Sequence, residues 1–115
     1  MTKRPLDVIF FKTDMGNEPA REWLKSLSKD ERRLIGEDIK TAQIGWPLGE
    51  PTVKKLESGI WEIRTDLENR IARVLLTKSP DALVILHGFI KKSRKTPKDD
   101  LETARKRLKI AKKGA

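Results

Sequence analysis

The sequence contains no cysteine and no tyrosine, and only one histidine. Without cysteine, neither disulfides nor thiolate metal sites are available. A single imidazole argues against a histidine-rich metal site, and no cofactor is expected. No stretch approaches the roughly 18 apolar residues of a membrane span, and the N-terminus opens without a hydrophobic signal region. A soluble, cytoplasmic protein is the simplest expectation. The 115 residues suit a single domain spanning residues 1–115 and one hydrophobic core.

Positive charge is abundant and unevenly placed. Residues 1–50 hold nine Lys/Arg against nine Asp/Glu, so the whole formal charge of +9 lies in residues 51–115. Residues 91–115 alone carry eleven bases and three acids. A field this asymmetric favours a polyanionic partner, with nucleic acid as the first candidate. The plain alternative is a solvated basic surface that aids solubility.

The hydrophobic pattern divides the chain into elements. Residues 7–12 read as a first strand. Asn17-Glu18-Pro19 opens a helix whose apolar face is Trp23, Leu24 and Leu27. Ser28 with Glu31 three residues later is a capping-box pattern that starts a second helix. Leu34, Ile35, Ile39 and Ala42 form its buried side. Residues 45–51, with two glycines and two prolines, read as a loop. Short strands follow at 53–57, 60–64, 70–77 and 82–90, with turns at Ser58-Gly59, residues 66–69 and Ser79-Pro80-Asp81. Thr96-Pro97-Lys98-Asp99 supplies an N-cap, a proline in the first turn and an acid at N3 for a last helix. Leu101, Ala104, Leu108 and Ala111 give that helix its apolar stripe. The expected fold is α+β, with order β-α-α-β-β-β(-β)-α. A curved, mainly antiparallel sheet is covered by helices on one face, with its other face partly open.

Candidate functional residues cluster around the last three strands. Along residues 60–64, Trp61 and Ile63 share one face, and Glu62 and Arg64 the other. On the next strand Arg70 and Arg73 fall on opposite faces, and the pattern leaves open which of them joins Arg64. A cross-strand pair with Glu62 would explain one arginine structurally; three arginines exceed that need. The run Ala-Leu-Val-Ile-Leu-His-Gly-Phe-Ile at 82–90 then leads directly into Lys91, Lys92, Arg94 and Lys95. A strand end fixes the backbone, so this run would deliver cations to the rim of the open face, where phosphate oxygens are natural ligands. Lysines that discourage edge-to-edge pairing are the competing explanation, which accounts for one or two of the four. Arg105, Lys106, Arg107 and Lys109 read as a solvated basic helix face. Histidine is the side-chain type suited to proton transfer at neutral pH, which makes His87 a candidate, yet a lone strand histidine is more often a structural hydrogen-bonding group. Simple alternation puts Leu83, Ile85, His87, Phe89 and Lys91 on one face.

The segments KKLESGIWEIR, RIARVLL and ALVILHGFIKKSRKTPKDDLETARKR together resemble the RelE/ParE toxin superfamily, and within it the phage-derived, HigB-like branch of type II toxin–antitoxin toxins. The resemblance covers roughly residues 53–108. It implies a RelE-like fold and an mRNA interferase: an endoribonuclease that cuts mRNA on the ribosome and needs no metal. It further implies a helix-turn-helix antitoxin as partner, in a homodimer or a heterotetramer with that antitoxin. Arg64 matches the basic residue of the third strand, and Arg70 the arginine that opens the next. Lys91 and Lys92 match the basic pair that ends the last strand, and together with His87 these are the expected catalytic residues. Arg73, Arg94, Lys95, Lys54 and Lys55 are the expected RNA contacts. Many relatives carry a tyrosine near the last helix; its absence here leaves His87, Glu62 or a lysine as general acid or base. A gyrase-poisoning toxin of the ParE type and a non-catalytic RNA- or ribosome-binding module are the alternatives.

Overall fold

The computed structural model describes residues 5–46, 49, 51–91 and 95–113. Its elements run β1 (Asp7–Phe10), α1 (Pro19–Lys25), α2 (Lys29–Gly45), β2 (Val53–Glu57), β3 (Ile60–Leu67), β4 (Arg70–Lys78), β5 (Ala82–Lys91) and α3 (Lys98–Lys113). The expected α+β order is observed. The strands form one sheet in the order β1-β5-β4-β3-β2. β1 runs parallel to β5, and every other neighbouring pair is antiparallel.

Local chemistry explains most of the boundaries. Pro19 occupies the first turn of α1, where a missing amide costs nothing. Ser28 and Glu31 form the reciprocal capping box that opens α2. β3 continues to Leu67, past the expected end, because Glu68 and Asn69 alone make the turn into β4. Asn69 adopts the positive φ of 59°, a conformation asparagine tolerates in two-residue hairpins.

The helices occupy both faces of the sheet, a correction to the expected single covered face. α1 and α2 close one side over a cluster that includes Ile35, Ile39, Trp46, Ile63, Val74 and Leu83. α3 lies on the other side, where Ala104 and Leu108 pack with Phe11, Ile60, Leu75, Leu86 and Phe89. The physical reason lies in β5. Its nearly unbroken apolar run suits a strand buried on both sides, whereas a strand with one wet face alternates. The stripe Leu101, Ala104, Leu108 and Ala111 does face the core as expected.

A β-bulge in β5 changes which side chains share a face. Leu76 pairs with Ile85, but Leu75 pairs with His87, so Leu86 is the extra residue. Leu83 and Ile85 therefore face α1 and α2, while His87, Phe89 and Lys91 turn to the α3 side. This overturns the simple alternation that would group all five. Gly88 follows on the α1 side, where the Trp23 ring lies against its backbone. A Cβ at Gly88 would come within 2.3 Å of that ring. The glycine thus permits α1 to approach the sheet closely.

Candidate functional site

Register across the central strands assembles a charged cluster on the α3 side. Arg64 stands directly opposite Arg73, and Glu62 stands between Lys54 of β2 and Leu75 of β4. Directly opposed residues share a face, so Lys54, Glu62, Arg64 and Arg73 all point to the side covered by α3. Two facing arginines repel, and Glu62 offsets this. Its Oε2 lies 3.5 Å from Arg73 Nη1, with both side chains buried at 2% and 0% exposure. The same oxygen accepts a 2.7 Å hydrogen bond from the Thr96 hydroxyl. Thr96, read from sequence as a helix cap, thereby ties the approach to α3 to the floor of the cluster.

Above this pair is a hollow of about 270 Å³. Lys54, Glu62, Arg64, Lys95, Thr96 and Leu101 line it. Arg64 is half-buried, and Lys54 and Lys95 are exposed. Cations from β2, β3 and the segment before α3 thus converge around one buried carboxylate. Hydrogen-bond donors fixed in this way suit a phosphate oxygen, because guanidinium and ammonium groups both donate to anions. Lys55 borders the hollow as well, but its ammonium is 5.5 Å from the centroid of the Trp61 ring, a cation–π contact.

His87 belongs to a separate network under the start of α3. Its Nε2 is 2.7 Å from Asp100 Oδ1, and its Nδ1 is 3.4 Å from Arg107 Nη1. An arginine can only donate, so this arrangement selects the tautomer with its proton on Nε2. Arg107 also donates to the Leu86 carbonyl at 2.8 Å, and burial pulls its guanidinium pKa down. The bulged Leu86 exposes the carbonyl that Arg107 takes. Lys91 Nζ lies 3.7 Å from the other Asp100 oxygen, Oδ2. Asp100 therefore latches the first turn of α3 to two positions on β5. The ring of His87 also stacks on Phe89, with centroids 5.6 Å apart. Both nitrogens of His87 thus face protein groups, the structural role that the sequence reading weighed against catalysis.

The expected site residues are only partly gathered. Arg64, Arg73, Lys54 and Lys95 come together around the hollow, and His87 and Lys91 lie beside it under α3. Arg70 does not join them. It pairs across the β3–β4 turn with Leu67 on the α2 side and forms an ion pair with Glu31 of α2. Hydrogen bonds from Ser28, and then the charge of Arg70, hold the Glu31 carboxyl below its ordinary pKa. Lys92 and Arg94 lie outside the described residues. Sequence reasoning missed Asp100 as a latch and Thr96 as a partner of Glu62. The first-turn acid and the threonine both fit helix-start chemistry, which hid their other use.

The model of the family described as phage derived protein Gp49-like matches residues 22–109, well over half of the chain. The chain belongs to this family. Gp49-like proteins are a phage-derived, toxin-like family within the RelE/ParE-like superfamily, and such a toxin would pair with an antitoxin. The match begins inside α1 and ends in α3, so the hollow, the His87 network and the Glu62–Arg73 pair all fall within the Gp49-like region. No curated protein matches the chain. Among the described residues, no helix is long and apolar enough to cross a membrane. Among the same residues, no cluster of three or more His, Asp or Glu side chains could hold a metal ion.

Proposed function

We propose that the chain is the toxin of a type II toxin–antitoxin module, an endoribonuclease of the HigB-like branch that cuts mRNA on the ribosome. The supporting observation is the convergence of Arg64, Lys54 and Lys95 on one hollow floored by the Glu62–Arg73 pair. A scissile phosphate in that hollow would meet cations from three segments of chain.

The chemistry follows from that arrangement. The ribose 2′-hydroxyl oxygen attacks the adjacent phosphorus as its proton leaves. The bond from phosphorus to the 5′ oxygen breaks, and that oxygen takes up a proton. The products are a 2′,3′-cyclic phosphate and a free 5′-hydroxyl. Negative charge grows on the non-bridging oxygens, and Arg64 with Lys54 and Lys95 stabilises it without reorganising. Glu62 is the carboxylate nearest to this reaction and takes the role of proton acceptor. Arg73 acts through Glu62 by holding its carboxylate in place. Lys91 contributes to the electrostatic field beside the hollow. A helix-turn-helix antitoxin would hold the toxin inactive.

Inducible expression with mapping of RNA 5′ ends tests this reading. Cleavage at discrete mRNA sites is expected, and Arg64→Ala should slow it by about a hundredfold while circular dichroism shows a folded protein. DNA damage without RNA breaks would instead mark a gyrase poison. Binding to ribosomes with no cleavage would mark a non-catalytic module.

A further inference from the structure

Among the described residues that line the hollow, Thr96 carries the one hydroxyl. That hydroxyl does not serve the helix that follows. α3 begins at Lys98, and the Leu101 amide donates to the Pro97 carbonyl, so Thr96 stands one residue before the capping position. A residue ahead of proline is disfavoured in helical backbone, which keeps Thr96 outside the helix. Its hydroxyl instead crosses to β3 and donates to Glu62 Oε2 at 2.7 Å.

The two oxygens of Glu62 are used unequally. Oε2 takes the Thr96 hydroxyl and also lies 3.5 Å from Arg73 Nη1. Oε1 accepts no hydrogen bond among the described residues, yet it is not sealed. A buried carboxylate that needed only satisfaction would draw donors to both oxygens, since each has two lone pairs. Here both partners converge on one oxygen. Glu62 lines the hollow, so the other oxygen is left to the space that Arg64, Lys54 and Lys95 surround.

We propose that Thr96 is a positioning residue for the cleavage of RNA: by engaging Oε2 it orients Glu62 so that Oε1 is the oxygen that takes the proton. This role rests on the reading of Glu62 as proton acceptor. The 2′-hydroxyl proton passes to Oε1 while the 2′ oxygen bonds to phosphorus. The electron pair of the breaking bond goes to the 5′ oxygen, which takes a proton from water. Glu62 then returns its own proton to the hydroxide left behind. Without the Thr96 hydroxyl, the carboxylate plane is free to turn about the last side-chain torsion, whose energy well is broad. The contact to Arg73, at 3.5 Å, sets direction poorly by itself.

The test compares single-turnover cleavage of mRNA on purified ribosomes by the full chain and its variants. Thr96→Val should lower the maximal rate about ten- to a hundredfold and leave the half-saturating ribosome concentration unchanged. Thr96→Ser should restore most of the rate, and thermal melts should show every variant folded. In a Glu62→Gln background, Thr96→Val should cost no further rate, because the hydroxyl acts only through that carboxylate. Thr103→Val removes a hydroxyl that donates to the Asp99 carbonyl within α3, and it should change neither constant. Thr96→Ala carries the same expectation as valine if valine fails to fold. Thr96→Val at the full rate, serine as slow as valine, or a rate loss repeated in the Glu62→Gln background would overturn the role. Cleavage by Glu62→Gln at the full rate would overturn it too, while leaving the nuclease standing. No cleavage by the unaltered chain would overturn the underlying reading and this role with it.

Discussion

The two faces of the sheet are built on different principles. Under α1 and α2 the packing is hydrocarbon but for the buried Thr65, with Trp46 set edge-on to Trp61 at 5.5 Å and Trp23 seated on Gly88. Under α3, one half is equally apolar, but the other half buries a full charge pair, Glu62 with Arg73. The first face can be explained by burial alone. The second cannot, because two charges withdrawn from water are costly and are often no better for stability than hydrocarbon of the same volume. Stability explains the first face, and the charge beneath the hollow points to use.

The sharpest way to break this contrast is to remove one member of the buried pair. Arg73→Ala should destabilise the fold by about 3–5 kcal/mol, because Glu62 would be left buried without its cation. Replacing both by apolar residues of similar size should restore most of that loss while abolishing any activity of the hollow. Urea unfolding of the single and double variants checks both points. On the opposite face, Gly88→Ala should cost about 1–3 kcal/mol by overpacking against Trp23, with near-ultraviolet circular dichroism reporting the displaced indole.

A smaller effect tests how α3 is held at its side. Arg105 grips Glu57 with three hydrogen bonds of 2.6, 2.9 and 3.2 Å. Those bonds hold the Glu57 carboxyl below the ordinary value of 4.5. The unfolded chain therefore binds a proton that the folded chain resists, so this contribution is present above pH 4.5 and fades as pH falls through the lowered folded value. Arg105→Ala should flatten that part of the stability–pH curve in thermal melts. The least effect belongs to Arg70→Ala. Its ion pair with Glu31 is solvent-exposed, and such pairs contribute about 0–1 kcal/mol. The variant should remain folded and, if the proposed RNA cleavage is observed, leave it intact, in contrast to Arg64→Ala.

Much of the fold was legible because its signals are local. Ser28 with Glu31 announced α2, and the stripe from Leu101 to Ala111 announced the buried side of α3. The pairing of Arg64 with Arg73 was within reach too. A two-residue turn at Glu68-Asn69 fixes the β3–β4 register, but treating residues 66–69 as the turn left the partner of Arg64 undecided. The apolar run of β5 also signalled cover on both faces, although a single covered face was expected. The bulge was not legible, since Leu86 is as apolar as its neighbours and nothing in the pattern distinguishes an extra residue. Arg70 shows the limit of matching by motif: similarity assigned it a role, and register turned it towards α2.

That one supernumerary leucine has a reach beyond its own position. A strand keeps strict two-beat time, and Leu86 holds one beat longer, so everything after it enters on the opposite count. Regular alternation through all of these residues would exchange inside for outside downstream, taking Gly88 from the indole and putting Phe89 in its place, whereas deleting Leu86 would keep His87 opposite Leu75 and the later residues on their present faces. The lower half of this strand owes its orientation to a syncopation, carried by the one residue that the β4–β5 register skips.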